Sequence, residues 1–194
     1  MRMDALLAHG GIGTGRSIQG STDRIARLFV RQDYSGSADM ETPAESSVRL
    51  QHAAPRAIAA VRARLPIARV SASFTTYLNQ VYAAARYGAI PLDGQNIFVY
   101  RGGASGEDAD VDFGVGVRSS FEPHGAVTCC ELPTGEVAVA THWGDYAQLG
   151  AAHAAVLAWC RANGREPTGT RWEVYGHWTD DPARRRTDVY YQLR

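Results

Sequence analysis

Residues 171–178, RWEVYGHW, gather the side chains most able to do chemistry. In an extended chain successive side chains point to opposite faces, so Glu173 and Tyr175 share one face and Trp172 and Val174 the other. His177 joins the first face if the strand runs that far. A carboxylate, a phenol and an imidazole on one face could take a proton from water and hand it on. The same carboxylate, poorly hydrated among aromatic rings, would attract a cation through both its charge and the ring faces. Taken alone, Glu173 also fits an exposed strand carboxylate in a surface ion pair, and His177 a polar strand end.

The aromatic supply points to the same region. Trp143, Trp159, Trp172 and Trp178 all fall in the second half, with Tyr146, Tyr175, Tyr190 and Tyr191. Ligand pockets are mostly apolar and aromatic with a few placed polar groups. Tyr175, Trp143, Tyr100 and Tyr190 are expected to line a cleft, with Phe98 beside them, whereas Trp159 sits within a helix and reads as core. Tyr190 should face the same way as Asp188, and Tyr191 the opposite way. A nucleophile elbow of the Gly-x-Ser-x-Gly type is absent. His142, His153 and His177 would have to converge with a carboxylate to hold a metal, and no short Cys/His spacing suggests it. Cys129, Cys130 and Cys160 read as small core residues rather than a disulfide framework. No metal and no cofactor is expected.

The elements that position these residues follow from periodicity. VTCCEL and EVAVATHW read as strands, YAQLGAAHAAVLAWCRANG as a helix, and RWEVYGHW and RTDVYYQL as strands. In the helix, Leu149, His153, Val156, Leu157 and Cys160 recur at helical spacing. Asn163-Gly164 stops it and Pro167 cannot extend it. Residues 48–118 repeat the plan: strands in SVRLQHA and PRAIAAVRARL, a helix in FTTYLNQVYAAARYGAI with a Tyr77, Val81, Ala84 and Ala85 stripe, then strands in NIFVYRG and DVDFGVGVRS. Tyr100 falls where Tyr175 falls, Phe98 where Glu173 falls, and Asp112 where Asp188 falls, an offset of 75 to 76 positions that reads as an internal duplication. The fold class is α+β: tandem β-α-β-β repeats, about 46–120 and 125–194, related by pseudo-twofold symmetry, forming an antiparallel sheet with two helices on one side.

The ordered set Gly144-Asp145-Tyr146, Gly164, Pro167, Trp172 to Tyr175 and Asp181-Pro182 resembles the second half of a GyrI-like effector-binding domain, carried by many AraC- and MerR-type regulators and also found alone. The resemblance implies two repeats around a cleft, with the Glu of the EVY motif, here Glu173, meeting the positive charge of aromatic ligands. It leaves three functions open: a stand-alone binder that senses or sequesters aromatic, cationic or toxic compounds; a hydrolase that opens electrophilic rings with Glu173 and Tyr175; and a protein-interaction module of the gyrase-inhibitor type.

Bulk properties set the outer limits. Apolar residues make up 45% of 194, enough for a core. Basic and acidic residues cancel at 20 each, so no nucleic-acid surface is expected, and Arg184-Arg185-Arg186 reads as a solvated face. No apolar run spans a membrane, and a cytoplasmic location follows by default. An oligomer is compatible with the pattern. Residues 1–45, with the glycines of HGGIGTG and the linker-like YSGSADMETPAES, read as a flexible extension without a Walker Lys-Ser/Thr pair.

Overall fold

The computed structural model describes residues 47–88, 90–103 and 107–194; the extension expected over 1–45 lies outside them. The described elements are β1 (Arg49–Ala53), β2 (Ala57–Pro66), α1 (Val70–Gly88), β3 (Leu92–Gly102), β4 (Asp108–Val117), β5 (Thr128–Glu131), β6 (Gly135–Trp143), α2 (Leu149–Ala162), β7 (Pro167–Tyr175) and β8 (Arg186–Leu193). The strands form one antiparallel sheet in the order β1-β6-β8-β7-β3-β4-β2-β5. That order reads the same from both ends once each strand is exchanged for its repeat counterpart. The expected pseudo-twofold therefore passes between β3 and β7.

The first strand of each repeat crosses over. β1 pairs with β6 of the second repeat, and β5 pairs with β2 of the first. Only three residues, 54–56, join β1 to β2, a reach of about 15 Å. In a flat sheet those strands would stand roughly 29 Å apart. The sheet must therefore curl until its two edges approach each other. The connectors 54–56 and 132–134 touch directly, with the Leu132 amide donating to the Arg56 carbonyl at 2.8 Å. Ile58, Ala60, Ile97, Val99, Leu132, Val137, Val139, Trp172 and Val174 pack together on the face without helices.

The other face carries both helices. α1 covers Ala59, Val61, Val111, Phe113 and Val115 with Leu78, Val81 and Ala84. α2 covers Ala138, Ala140, Val189 and Tyr191 with Leu149, Ala152, Val156 and Cys160. Strands with cover on both faces read as continuous apolar runs rather than alternating ones, as in Ile97–Tyr100, all buried. α2 ends as its sequence announces. Gly164 takes φ +61°, its amide bonds Arg161 and the next amide bonds Cys160, so orphan carbonyls of the last turn are satisfied. The capping residue Asp145 accepts from the Ala147 amide at 2.8 Å and opens the turn into α2.

Phe113 is the largest side chain with no solvent exposure, stacked on Tyr77 at 4.6 Å and edge-on to Phe98 at 5.3 Å. Phe113→Ala should cost about 3–5 kcal/mol, read as a lower urea midpoint with an unchanged slope. A loss below about 1 kcal/mol would show that this core does not hold the domain together.

Candidate functional site

β3 and β7 pair so that Phe98 lies directly opposite Glu173. These two residues are also repeat counterparts, so the pseudo-twofold runs between them, with a ring on one side and a carboxyl on the other. Tyr100 and Tyr175, themselves counterparts, stand two residues further along each strand. Both point to the helix-bearing face with Glu173, as alternation requires. The phenols converge on one oxygen: Tyr100 donates to Glu173 Oε2 at 2.9 Å and Tyr175 at 2.6 Å.

The second carboxylate oxygen belongs to α2. His153 Nε2 lies 3.0 Å from Glu173 Oε1, and His153 Nδ1 lies 2.9 Å from the Tyr191 hydroxyl. A carboxylate only accepts, so Nε2 carries the proton towards Glu173. Nδ1 then accepts from Tyr191 in the neutral ring and donates to it in the imidazolium. The array Tyr191–His153–Glu173–(Tyr100, Tyr175) lies at the seam between the separate cores beneath α1 and α2. Glu173 is 6% exposed. Among the described residues its one ionic partner is His153. Arg171 is close but otherwise engaged, with its guanidinium 4.9 Å over the Tyr100 ring and its NH1 donating to the Gly102 carbonyl.

Aromatic rings wall the seam. Phe98 packs on Tyr175 at 5.1 Å and on Phe74 of α1 at 5.9 Å, and Tyr146 meets Tyr175 edge-on at 5.5 Å. Phe74 is exposed at 37%, so the wall continues to the surface. Burial, then the charge of Glu173, holds the Tyr100 and Tyr175 phenols well above their ordinary range. Burial alone is the largest cause of the upward shift at Tyr191.

The structure thus brings together Glu173, Tyr175, Tyr100 and Phe98. It does not bring in the other three expected residues. Tyr190 lies on the opposite face, stacked flat on Trp172 at 5.1 Å, because it shares parity with Asp188 and not with Tyr191. Trp143 has the parity of Val137 and Val139, which face that same side, and is 47% exposed beneath Arg186. β7 ends at Tyr175, so His177 falls past the strand and is exposed. The imidazole beside Glu173 is His153 instead. Its spacing with Leu149 and Val156 marked it as facing the sheet, and a titratable residue on a core-facing stripe was the signal available for it. Among the described residues no cluster of His, Cys, Asp or Glu is arranged to hold a metal ion. No helix there is long and apolar enough to cross a membrane.

Tyr100 and Tyr175 stay protonated in the folded state, while the unfolded chain releases such protons near the ordinary value of 10.0. The stability they carry is complete below that pH and is lost as pH rises through their folded values. Glu173→Gln should bring both phenols down while leaving them above ordinary tyrosines, since burial is the larger cause. Phenolate absorbance during alkaline titration measures this. Tyr100→Phe should remove one late-ionising phenol, and an unchanged high-pH limb would contradict the geometry.

No curated protein matches the chain. Among solved structures, it is similar to the C-terminal domain of EcmrR at 18% identity, covering 77% of this chain and 98% of that one, with TM-score 0.66. It is similar to SAV2435, solved bound to tetraphenylphosphonium, at 9% identity over 76% and 94% of the two chains, TM-score 0.56. A hydrolase from Listeria innocua shares the fold at 10% identity, 77% and 93% coverage and TM-score 0.54. A family model for the GyrI-like small molecule binding domain matches residues 46–194, and the chain belongs to that family.

Proposed function

We propose that this protein binds aromatic, cationic small molecules in the seam over Glu173, as a sensing or sequestering domain. The observation that carries the reading is a buried carboxylate with no arginine paired to it among the described residues, walled by Phe98, Tyr175, Tyr146 and Phe74. A delocalised cation loses little hydration on entering such a site and gains both Coulomb attraction and ring contact. Three donors already orient the carboxylate, so its charge is held in place before the ligand arrives. The tetraphenylphosphonium in the SAV2435 structure is a ligand of this chemistry in a protein of the same fold. The balanced charge of 20 basic and 20 acidic residues supports a role for this domain without nucleic acid.

A second reading rests on the Glu173–His153–Tyr191 chain, which has the connectivity to accept a proton from water and pass it on. Here Glu173 would act as the base and Tyr175 as the acid on an electrophilic ring. The hydrolase of the same fold from Listeria innocua supports keeping it.

Calorimetric titration with tetraphenylphosphonium and planar dye cations tests the first reading. Wild type should bind, and Glu173→Gln should weaken binding by at least about tenfold, the worth of one charge contact in a shielded site. At a hundredfold excess over Kd the ligand should stabilise the fold by about 2.7 kcal/mol, visible as a melting shift. Equal binding by Glu173→Gln would remove the site assignment. Mass spectrometry of the bound compound separates the readings: an unmodified ligand supports binding, and a ring-opened product lost in Glu173→Ala supports hydrolysis.

A further inference from the structure

The turn between β7 and β8 sets a cation of the chain's own beside the seam. The Arg185 guanidinium lies 4.3 Å from the centroid of the Trp178 ring and 5.9 Å from that of Tyr146. Its Nε donates to the Thr179 carbonyl at 3.2 Å. Asp180 and Asp181 share the turn, yet among the described residues Arg185 makes no salt bridge, and the Asp181 carboxylate instead accepts from the Ala183 amide at 3.0 Å. Two aromatic faces take the place of a carboxylate as the partner of this charge. The cage abuts the seam through Tyr146, whose ring meets Tyr175, which in turn bonds Glu173.

A second observation at the same end is independent of the stack. Trp178 Nε1 and Thr187 Oγ1 are both buried with no hydrogen-bond partner among the described residues. Thr187 is 0% exposed and stands directly opposite Tyr175 in the β7–β8 register. Buried polar atoms of this kind are normally satisfied, and leaving them unmade costs free energy. An acceptor atom beside the edge of the Trp178 ring would satisfy its Nε1–H.

We infer that Trp178 and Tyr146 form a cation-binding aromatic cage which the chain fills with its own Arg185, and that a cationic ligand of the Glu173 seam must compete with this guanidinium. The inference rests on the seam's being a cation site. The forces that hold Arg185, ring quadrupoles and a single carbonyl, are those that hold a ligand cation, so the two are mutually exclusive at the cage. A tethered occupant at high effective concentration lowers the apparent affinity by the fraction of time the cage is open. Arg185 is thereby a specificity residue: it discriminates against cations that bind the rings no better than a guanidinium does.

Calorimetric titration of the full chain with tetraphenylphosphonium, in wild type, Arg185→Ala, Arg185→Gln and Glu173→Gln, tests the cage. Removing the guanidinium should tighten binding by about fivefold, the worth of one partly exposed cation–π pair. Arg185→Gln keeps a side chain of similar reach and should tighten it as well, which guards against a folding defect in the alanine variant. Equal or weaker binding by both Arg185 variants overturns the cage, and leaves the seam intact where Glu173→Gln still weakens binding. Binding seen only after Arg185 is removed supports the cage most directly. No binding by any of the four proteins overturns the seam and the cage together.

Discussion

The pairing of β3 with β7 is the constraint on which the rest depends. Because the pseudo-twofold runs between Phe98 and Glu173, each other residue near it has its repeat counterpart at the same distance on the other side of that pair. Tyr100 and Tyr175 therefore flank Glu173 from two strands, one on each side, and reach the same carboxylate oxygen. A symmetric pair at the axis would have been two rings or two carboxylates. Two rings would offer a cation no charge, and two carboxylates in contact would repel each other. Breaking the symmetry at this one pair gives a single buried charge with aromatic surroundings.

The exchange of the first strands makes that pairing possible. With β1 on the second repeat and β5 on the first, neither repeat has a complete sheet alone. The short connectors pull the edges together, and the apolar face that results is buried without a third layer of helices. This leaves the helices on one side, each with its own core, and the seam between them over β3 and β7. The packed closed face and the separate helix cores of the open face come from the same topology. Preorganised polar groups need such support, since a carboxylate held in one place by three donors does not have to be reoriented when a ligand arrives.

The expected elements were present, and alternation assigned the faces of β7 and β8 correctly. Glu173 and Tyr175 fall on one face, Trp172 and Val174 on the other, and Tyr191 opposes Tyr190 because the side-chain period in a strand is two. Where the structure departs from local pattern, the cause is a distance or an end that the pattern does not contain. His177 depended on β7 running two residues further than it does. Residue type points Trp143 and Tyr190 to a pocket, but their parity sets them on the face away from Glu173, where Tyr190 lines a separate pocket with Trp172 and Val174. His153 was visible only as a polar interruption of an apolar stripe.

The sequence by itself determined the secondary structure, the duplication and the face of each strand residue. These depend on short-range periodicity, on turn residues such as Gly164, and on the offset between two copies. Tertiary structure alone decided that the first strands change places and that β3 abuts β7. It also decided that an imidazole from α2 and a phenol from the other repeat close on one carboxylate. Those contacts join residues 20 and 73 positions apart. Their choice is made by connector length and by the burial of a whole sheet face, quantities that belong to the assembled chain and to no segment of it.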